Sequence, residues 1–502
     1  MIMEEKDYFE FIQVAVGNRK SLSVSVTDAD WHRLFEFCKR QALIGVGFSA
    51  VEKLHAMGVV CPAALRMQWM ALALQIEKRN GLLNEQCSQL ARKYEHDGLS
   101  TCILKGQGNC LNYPEGLRTR RMPGDIDVWV TPIYGRQHET NVCPREDGKG
   151  ERELSQIKRE LKEICPQADG GIAIAVQTGK EEVEYVEYHG RKAVIEYVRM
   201  QHRLAESDVS PVIRYHHIEA PKIDGTEVEV HFRPCYAHSP LRNWRMQRWF
   251  KDHADVCMKN KTHMGFAVPT ASVNVVYQMC HLFSHYFDEG LGLRQLMDYY
   301  FALKVWHNDV MECKDLQTQG MWSEGLGTPV MSAQEVMAVL RSFGMGKFAG
   351  AVMYVLQEVF ENEECRMKNE ECTEADDGGE RKLKRINREL KEIGPQADDM
   401  GEQQVSSIGQ QLKEKCVCEP WMICAPNERE GRKLLEEIMK GGNFGQYDER
   451  GKELKNGGMI KHGLWKLKRV MRLVRSYPEE ALWEPVFRVW HLLWRKIQRI
   501  KD

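Results

Sequence analysis

The chain has 502 residues, 43% of them hydrophobic, and carries 70 basic against 72 acidic side chains. That length fits about three domains, or fewer if insertions enlarge it, and the composition is sufficient for a sizeable core. A formal net charge of −2 excludes bulk electrostatics as a reason to expect nucleic acid as a partner. The N-terminus, Met1 to Asp7, is acidic and leads into no adequate apolar run, so a secretory signal is not expected. No uninterrupted apolar span of about eighteen residues occurs. The sixteen cysteines are scattered through apolar contexts and read as reduced, buried thiols of a cytoplasmic protein.

Residues 1–100 read as an N-terminal helical region. Asp28-Ala-Asp30 is placed to cap a helix through Trp31, Leu34, Phe35 and Cys38. A long amphipathic stretch follows over 63–96, with Leu65, Trp69, Leu72, Leu74 and Ile76. A short strand, Thr101 to Leu104, enters the turn Lys105-Gly106-Gln107-Gly108, and a helix is expected through Leu111. Next comes Gly124-Asp125-Ile126-Asp127-Val128-Trp129-Val130, where acids alternate with apolar residues after a Pro-Gly turn signal. A strand has a side-chain period of two, so Asp125, Asp127 and Trp129 are expected on one face. Further on, Val212–Ala220 and Glu227–Phe232 read as strands joined through Ile223-Asp224-Gly225, whose Asp-Gly pair suits a tight hairpin. Glu227, Glu229 and His231 share one face of the second. Residues 271–305 return to helix, broken near Gly290 and Gly292, and the remainder is mainly helical.

A charged segment at 150–169 recurs at 379–398, with 15 of 20 positions identical. Each copy has a narrow apolar stripe on an otherwise charged helix, the mark of a solvated surface insertion. Insertions are therefore placed at about 132–190 and 361–420. The first lies within a core at 101–235, which a helical domain at 236–360 follows; the second lies between that domain and a C-terminal helical region at 421–502. The tail, Met459 to Asp502, holds eleven Lys or Arg against four acids and four tryptophans. It would suit an anionic surface or a polyanion. Burial of its stripe Leu482, Val486, Val489, Leu493 and Ile497 against the helical domain is the preferred reading, and Pro478 and Pro485 divide it into at least two helices.

Two carboxylates on adjacent rungs of one strand face repel each other unless positive charge lies between them, and divalent cations are the usual solution. Asp125 and Asp127 are thus candidate metal ligands. The turn with Gly106 and Gly108 offers backbone N–H groups and a helix N-terminus to phosphate, with Lys105 or Arg121 adding charge. Glu229 supplies a third carboxylate on a later alternating strand. His231 reads as a half-buried histidine bonded to a neighbour. His281 and His285, spaced i, i+4, read as core residues, and Arg294 is a weaker candidate for contact with nucleotide. Cys416-Val-Cys418 lacks the partner spacing of a zinc site.

A glycine turn, then Asp-apolar-acid, then a distal carboxylate resembles the nucleotidyltransferase superfamily. Leu104-Lys-Gly-Gln-Gly108, Arg121 through Val130 and Val228-Glu-Val-His-Phe-Arg-Pro234 resemble more narrowly an uncharacterised bacterial nucleotidyltransferase-like family of Bacteroidetes type. The likeness covers most of 25–305 outside the first insertion and includes Gly290 to Asp298. Lys-Gly-x-Gly stands where the superfamily has Gly-Ser, and the interval from Gly106 to Asp125 is longer than usual. The resemblance implies an α+β fold, a small mixed sheet within a predominantly helical surround. It also implies transfer of an NMP group from an NTP such as ATP to a hydroxyl acceptor, with two Mg²⁺ ions on Asp125, Asp127 and Glu229. A non-catalytic interaction protein on the same fold and a metal-dependent phosphohydrolase are the alternatives.

Overall fold

A computed structural model describes residues 3–133, 171–177, 183–205, 211–318, 330–361, 421–450 and 458–500. Both copies of the charged repeat and Cys416-Val-Cys418 lie outside the described residues. In chain order, the first elements are α1 (Glu5–Val16), α2 (Asp28–Arg40), α3 (Ile44–Ala56), α4 (Ala63–His96), β1 (Leu99–Ile103), α5 (Gln107–Cys110) and α6 (Glu115–Arg118). Then follow β2 (Ile126–Pro132), β3 (Gly171–Gln177), β4 (Val183–His189), α7 (Gly190–Leu204), β5 (His217–Ile223) and β6 (Thr226–His231). The remaining helices are α8 (Pro240–Asp252), α9 (Ala254–Lys259), α10 (Ala271–Asp288), α11 (Leu293–Thr318), α12 (Ala333–Ser342), α13 (Gly346–Phe360), α14 (Glu428–Gly441), α15 (Met459–Leu473) and α16 (Pro478–Ile500). The class is α+β, with a small mixed sheet among many helices.

Contacts divide the chain into two compact units. The first comprises Met1–Gln75, Glu115–Met122 and His281–Arg469; the second comprises Ile76–Pro114, Pro123–Cys280 and Val470–Asp502. Every described strand of the four-stranded sheet belongs to the second unit. Its order is β1-β2-β6-β5, with β2 and β6 parallel and the other two pairings antiparallel. A separate antiparallel pair, β3 with β4, lies within the expected first insertion.

The period of two explains how the sheet is buried. Ile103, Ile126, Val128, Val130, Val228, Val230, Ile218 and Ala220 form one apolar face. Against it pack Leu83, Cys87, Leu90 and Tyr94 of α4 and Ala193, Val194, Tyr197 and Val198 of α7. The other residues of the alternation, including Asp127, Glu229, His231 and His217, are consequently directed to the opposite face. There Trp129 meets Phe250 of α8 edge to face, ring centroids 6.2 Å apart.

In the first unit α2 begins one residue earlier than its acids suggest. Thr27 is the N-cap, accepting from the Asp30 backbone N–H, while the Asp30 carboxylate accepts from the Thr27 N–H in return. Gly290 (φ +125°) and Gly292 separate α10 from α11, and a Cβ on Gly292 would stand 2.7 Å from Asn443 Cα. The positive φ at Gly290 is incompatible with a continuing helix, and the approach of Asn443 leaves no room for a side chain at Gly292.

The C-terminal stripe is not buried. Leu482, Val486, Val489, Leu493 and Ile497 are between 53% and 65% exposed. The face of α16 turned inward is a different one: Phe487 stacks on Tyr236 at 5.2 Å and meets Tyr215 edge to face, and Glu480 pairs with His238 at 3.0 Å. Pro478 starts α16, but Pro485 lies inside it without ending it. Among the described residues no helix is long and apolar enough to cross a membrane. Ten described cysteines are free thiols, eight of them buried.

Candidate active site

The site is assembled on the polar face of the sheet, entirely from the second unit. Asp127 on β2 lies directly beside Glu229 on β6 in the parallel register, and Trp129 lies beside His231. Asp127 is completely buried. Its Oδ1 accepts from Lys105 Nζ and from His231 Nε2, each at 3.0 Å, while Oδ2 is buried with no hydrogen-bond partner. An ionised carboxylate oxygen in that position is costly unless a cation balances it.

Asp125 departs from the expected pattern. It precedes the first residue of β2 and is only half-buried, so it flanks the strand instead of continuing its ladder. Its charge still acts on the site, where it raises Lys105 and opposes ionisation of Glu229.

The Lys105 turn lies against the same strand end. The Leu104 N–H donates to the Asp127 carbonyl at 2.9 Å, which places Lys105 beside the acid. Gly106 has φ +61°, and a Cβ on it would come within 3.3 Å of the Asp125 carbonyl; one on Gly108 would come within 2.7 Å of the Ile103 carbonyl. Both positions therefore call for glycine. The helix that follows is shorter than expected. α5 is a single turn, and the Gly108 and Cys110 N–H groups already donate to Lys105 and Gly106 carbonyls. A helix-dipole contribution to phosphate binding is thus not available there.

Burial works to lower the Lys105 pKa, but Asp127, Asp125 and Glu229 overcome it and raise it above the ordinary lysine value. His231 is likewise raised despite burial, by Asp127, which accepts from its ring, and by the nearby Glu229 carboxylate. Glu229 is lowered despite burial by the same histidine and by Lys105. Two imidazoles behave oppositely. Burial, then His231 and Arg214, push His217 down to about 2, and burial with its two neighbouring histidines holds His216 well below the ordinary value.

His216 and His217 are absent from the sequence-derived set. His217 pairs with His231 in the β5–β6 register, and its Nδ1 stands 3.3 Å from Glu229 Oε2. An unbroken ladder from the Ile223–Thr226 pair would place His217 opposite Phe232. The bulge between Ala220 and Ile223 shifts the register by one and brings the histidines face to face. Pro221 and Lys222 in the bulged stretch were the available signal, since proline within a strand marks such breaks.

The two arginines proposed for phosphate belong to the first unit. Arg121 is buried and donates from Nε and one terminal nitrogen to both oxygens of Asp298, at 2.7 and 2.8 Å. Arg294 lies over the Phe444 ring at 5.3 Å and donates to the Met122 carbonyl at 3.4 Å. His281 and His285 are in ring contact, centroids 4.3 Å apart.

Donor atoms of Asp127, Glu229 and His231 all fall within 4.8 Å of one another, and those of His216, His217 and His231 do the same. The face therefore has groups able to hold a cation. The model of a family described as uncharacterised nucleotidyltransferase matches residues 27–138 and 187–319. The matched stretches are nucleotidyltransferase-like. They contain Lys105, Gly106, Gly108, Arg121, Asp125, Asp127, Glu229 and Arg294, and also His216, His217 and His231. No curated protein and no solved structure matches the chain.

Proposed function

We propose that the chain is a metal-dependent nucleotidyltransferase that moves an NMP group from an NTP, ATP among the substrates to test first, to a hydroxyl-bearing acceptor. The observation that carries this reading is the pairing of Asp127 with Glu229 on neighbouring parallel strands, with Asp125 and the Lys105 turn at the same strand end. In the reaction the acceptor oxygen forms a bond to the α-phosphorus, the bond from that phosphorus to the β-bridging oxygen breaks, and pyrophosphate leaves with the electron pair.

Asp125, Asp127 and Glu229 would hold the cation, Mg²⁺ in this proposal and two ions in the full site. The buried, unpartnered Asp127 Oδ2 fits that role. Bound there, the metal would supply positive charge for the triphosphate and the leaving pyrophosphate. Lys105 is the residue positioned to exchange partners: its ammonium sits on Asp127 Oδ1, and its charge becomes available to phosphate when the acid is otherwise neutralised. Glu229 would complete the cation site or take the acceptor proton.

The proposed partners also include an anionic surface or polyanion, met by the basic tail. The exposed stripe of α16 supports this contact.

Product analysis tests the reading. The purified chain, Mg²⁺ and each NTP in turn, given small-molecule and protein fractions as acceptors, should release pyrophosphate together with a nucleotidylated product. Release of orthophosphate without any nucleotidylated product would replace transfer with hydrolysis.

A further inference from the structure

Behind the sheet, on the face opposite to the carboxylates, lies a cavity of about 470 Å³. Small-molecule sites commonly have roughly 300–1,000 Å³. Its walls come from α4, α7 and the bulged end of β5, all in the second unit. Ala220 and Val228 line it from the apolar side of their strands, so the sheet itself stands between the cavity and Asp127 or Glu229. Leu90 and Met200 extend the apolar wall, and the exposed Lys93, Leu204 and Lys222 mark where the cavity opens to solvent.

The polar groups of the cavity form a single directed chain. Tyr94 and Tyr197 are both buried and meet edge to face, centroids 5.1 Å apart. The Tyr94 hydroxyl donates to Gln201 Oε1 at 3.0 Å, Gln201 Nε2 donates to the Tyr197 oxygen at 3.0 Å, and the Tyr197 hydroxyl donates to the Asp97 carboxylate. An amide nitrogen carries two N–H groups and a phenol oxygen two lone pairs. The chain uses one N–H of Gln201 and none of the lone pairs of Tyr94, so a donor and an acceptor remain at the cavity wall. Burial raises the pKa of both phenols above the ordinary value, which keeps this wall uncharged. Asp97, at the end of the chain, disfavours an anionic ligand head beside it. We propose that the cavity binds a neutral apolar small molecule bearing one hydroxyl group, in the class of phenols and cyclic alcohols. The ligand hydroxyl accepts from the second Gln201 N–H and donates to the Tyr94 oxygen, while the carbon skeleton covers Leu90, Met200, Ala220 and Val228. With the sheet between them, this ligand is not the acceptor of the transfer reaction, and its binding does not rest on that reading.

The experiment titrates the full chain with 2-naphthol, followed by the fluorescence of the probe, with 2-methylnaphthalene and 2-naphthoate as comparators. 2-Naphthol should bind saturably, about fivefold tighter than 2-methylnaphthalene, the difference made by its hydroxyl. Tyr94→Phe combined with Gln201→Leu should remove that difference, with the far-UV circular dichroism unchanged. Met200→Trp, at a half-buried position, should fill the cavity and abolish binding, and it keeps the site testable if the double variant does not fold. No saturable binding by the wild type, equal binding by folded Met200→Trp, or tighter binding of 2-naphthoate than of 2-naphthol would overturn the proposal. Calorimetry with Mg²⁺ and ATP separates it from the transfer reading. Loss of nucleotide binding alone would remove only that reading, whereas competition between ATP and 2-naphthol would overturn the placement of the ligand behind the sheet.

Discussion

Asp127 is a fully buried carboxylate whose Oδ1 faces both the Lys105 ammonium and the His231 ring. Removing one member of a buried ionic cluster leaves its partners uncompensated, at a cost of about 3–5 kcal/mol. Asp127→Ala should therefore lower the unfolding free energy by about 3 kcal/mol in denaturant titration, and Asp125→Ala, at a half-buried position ahead of the strand, by far less. Equal losses would mean that Asp127 is not the centre of the cluster. Gly108→Ala should also destabilise the fold, since its Cβ would meet the Ile103 carbonyl at 2.7 Å; an unchanged melting temperature would contradict that geometry. The grouping of Lys105, Asp127 and Glu229 was legible in the sequence because glycine turn, alternating acids and distal acid follow the chain in order. His217 was not legible, because its face is set by a bulge that no local pattern dates to one residue. Nor was the fate of Arg121, whose partner Asp298 is 177 positions away in sequence.

Among the elements, the long helices were read accurately where periodicity ran unbroken. α4 spans Ala63–His96, the stretch expected from its apolar spacing, although Leu74 is turned to solvent at 55% exposure. Boundaries fixed by reciprocal side-chain bonds were less visible: α2 takes its cap from Thr27, not from Asp28. Thr27→Ala should cost about 1 kcal/mol in thermal or chemical unfolding, and no change would mean the cap is not formed. On α16, Glu480 is buried and bonded to the His238 ring and backbone N–H. Burial opposes its ionisation, but those bonds lower its pKa below the ordinary carboxylate value of 4.5. A depressed folded-state pKa contributes stability that is present above the unfolded value and lost as pH falls through the folded one. Unfolding measured from pH 6 down to about pH 3 should accordingly show a smaller pH dependence in Glu480→Gln than in the wild type. Parallel curves would exclude Glu480 as a contributor. The outward stripe of α16 was misjudged for a related reason: the aromatic and ionic face of the helix, with Phe487 and Glu480, takes the inner position, and aliphatic spacing alone does not rank the two faces.

At the scale of the whole molecule, the sheet and its polar face are self-contained in the second unit, while the regular elements among the described residues of the first unit are all helices. The proposed anionic contact belongs to this scale. The full chain should co-sediment with vesicles containing phosphatidylserine and not with neutral phosphatidylcholine vesicles. Replacing Val486, Val489 and Leu493 together by Ser should abolish the difference, and equal sedimentation of that variant would refute a role for the stripe. The central claim concerns the carboxylate face. Isothermal titration of the full chain with ATP in the presence of Mg²⁺, repeated on Asp125→Ala with Asp127→Ala, tests it most directly. The account predicts saturable nucleotide binding that requires Mg²⁺ in the wild type and disappears in the folded double variant. No Mg²⁺-dependent nucleotide binding by the wild type, or the same binding by the variant, would contradict it.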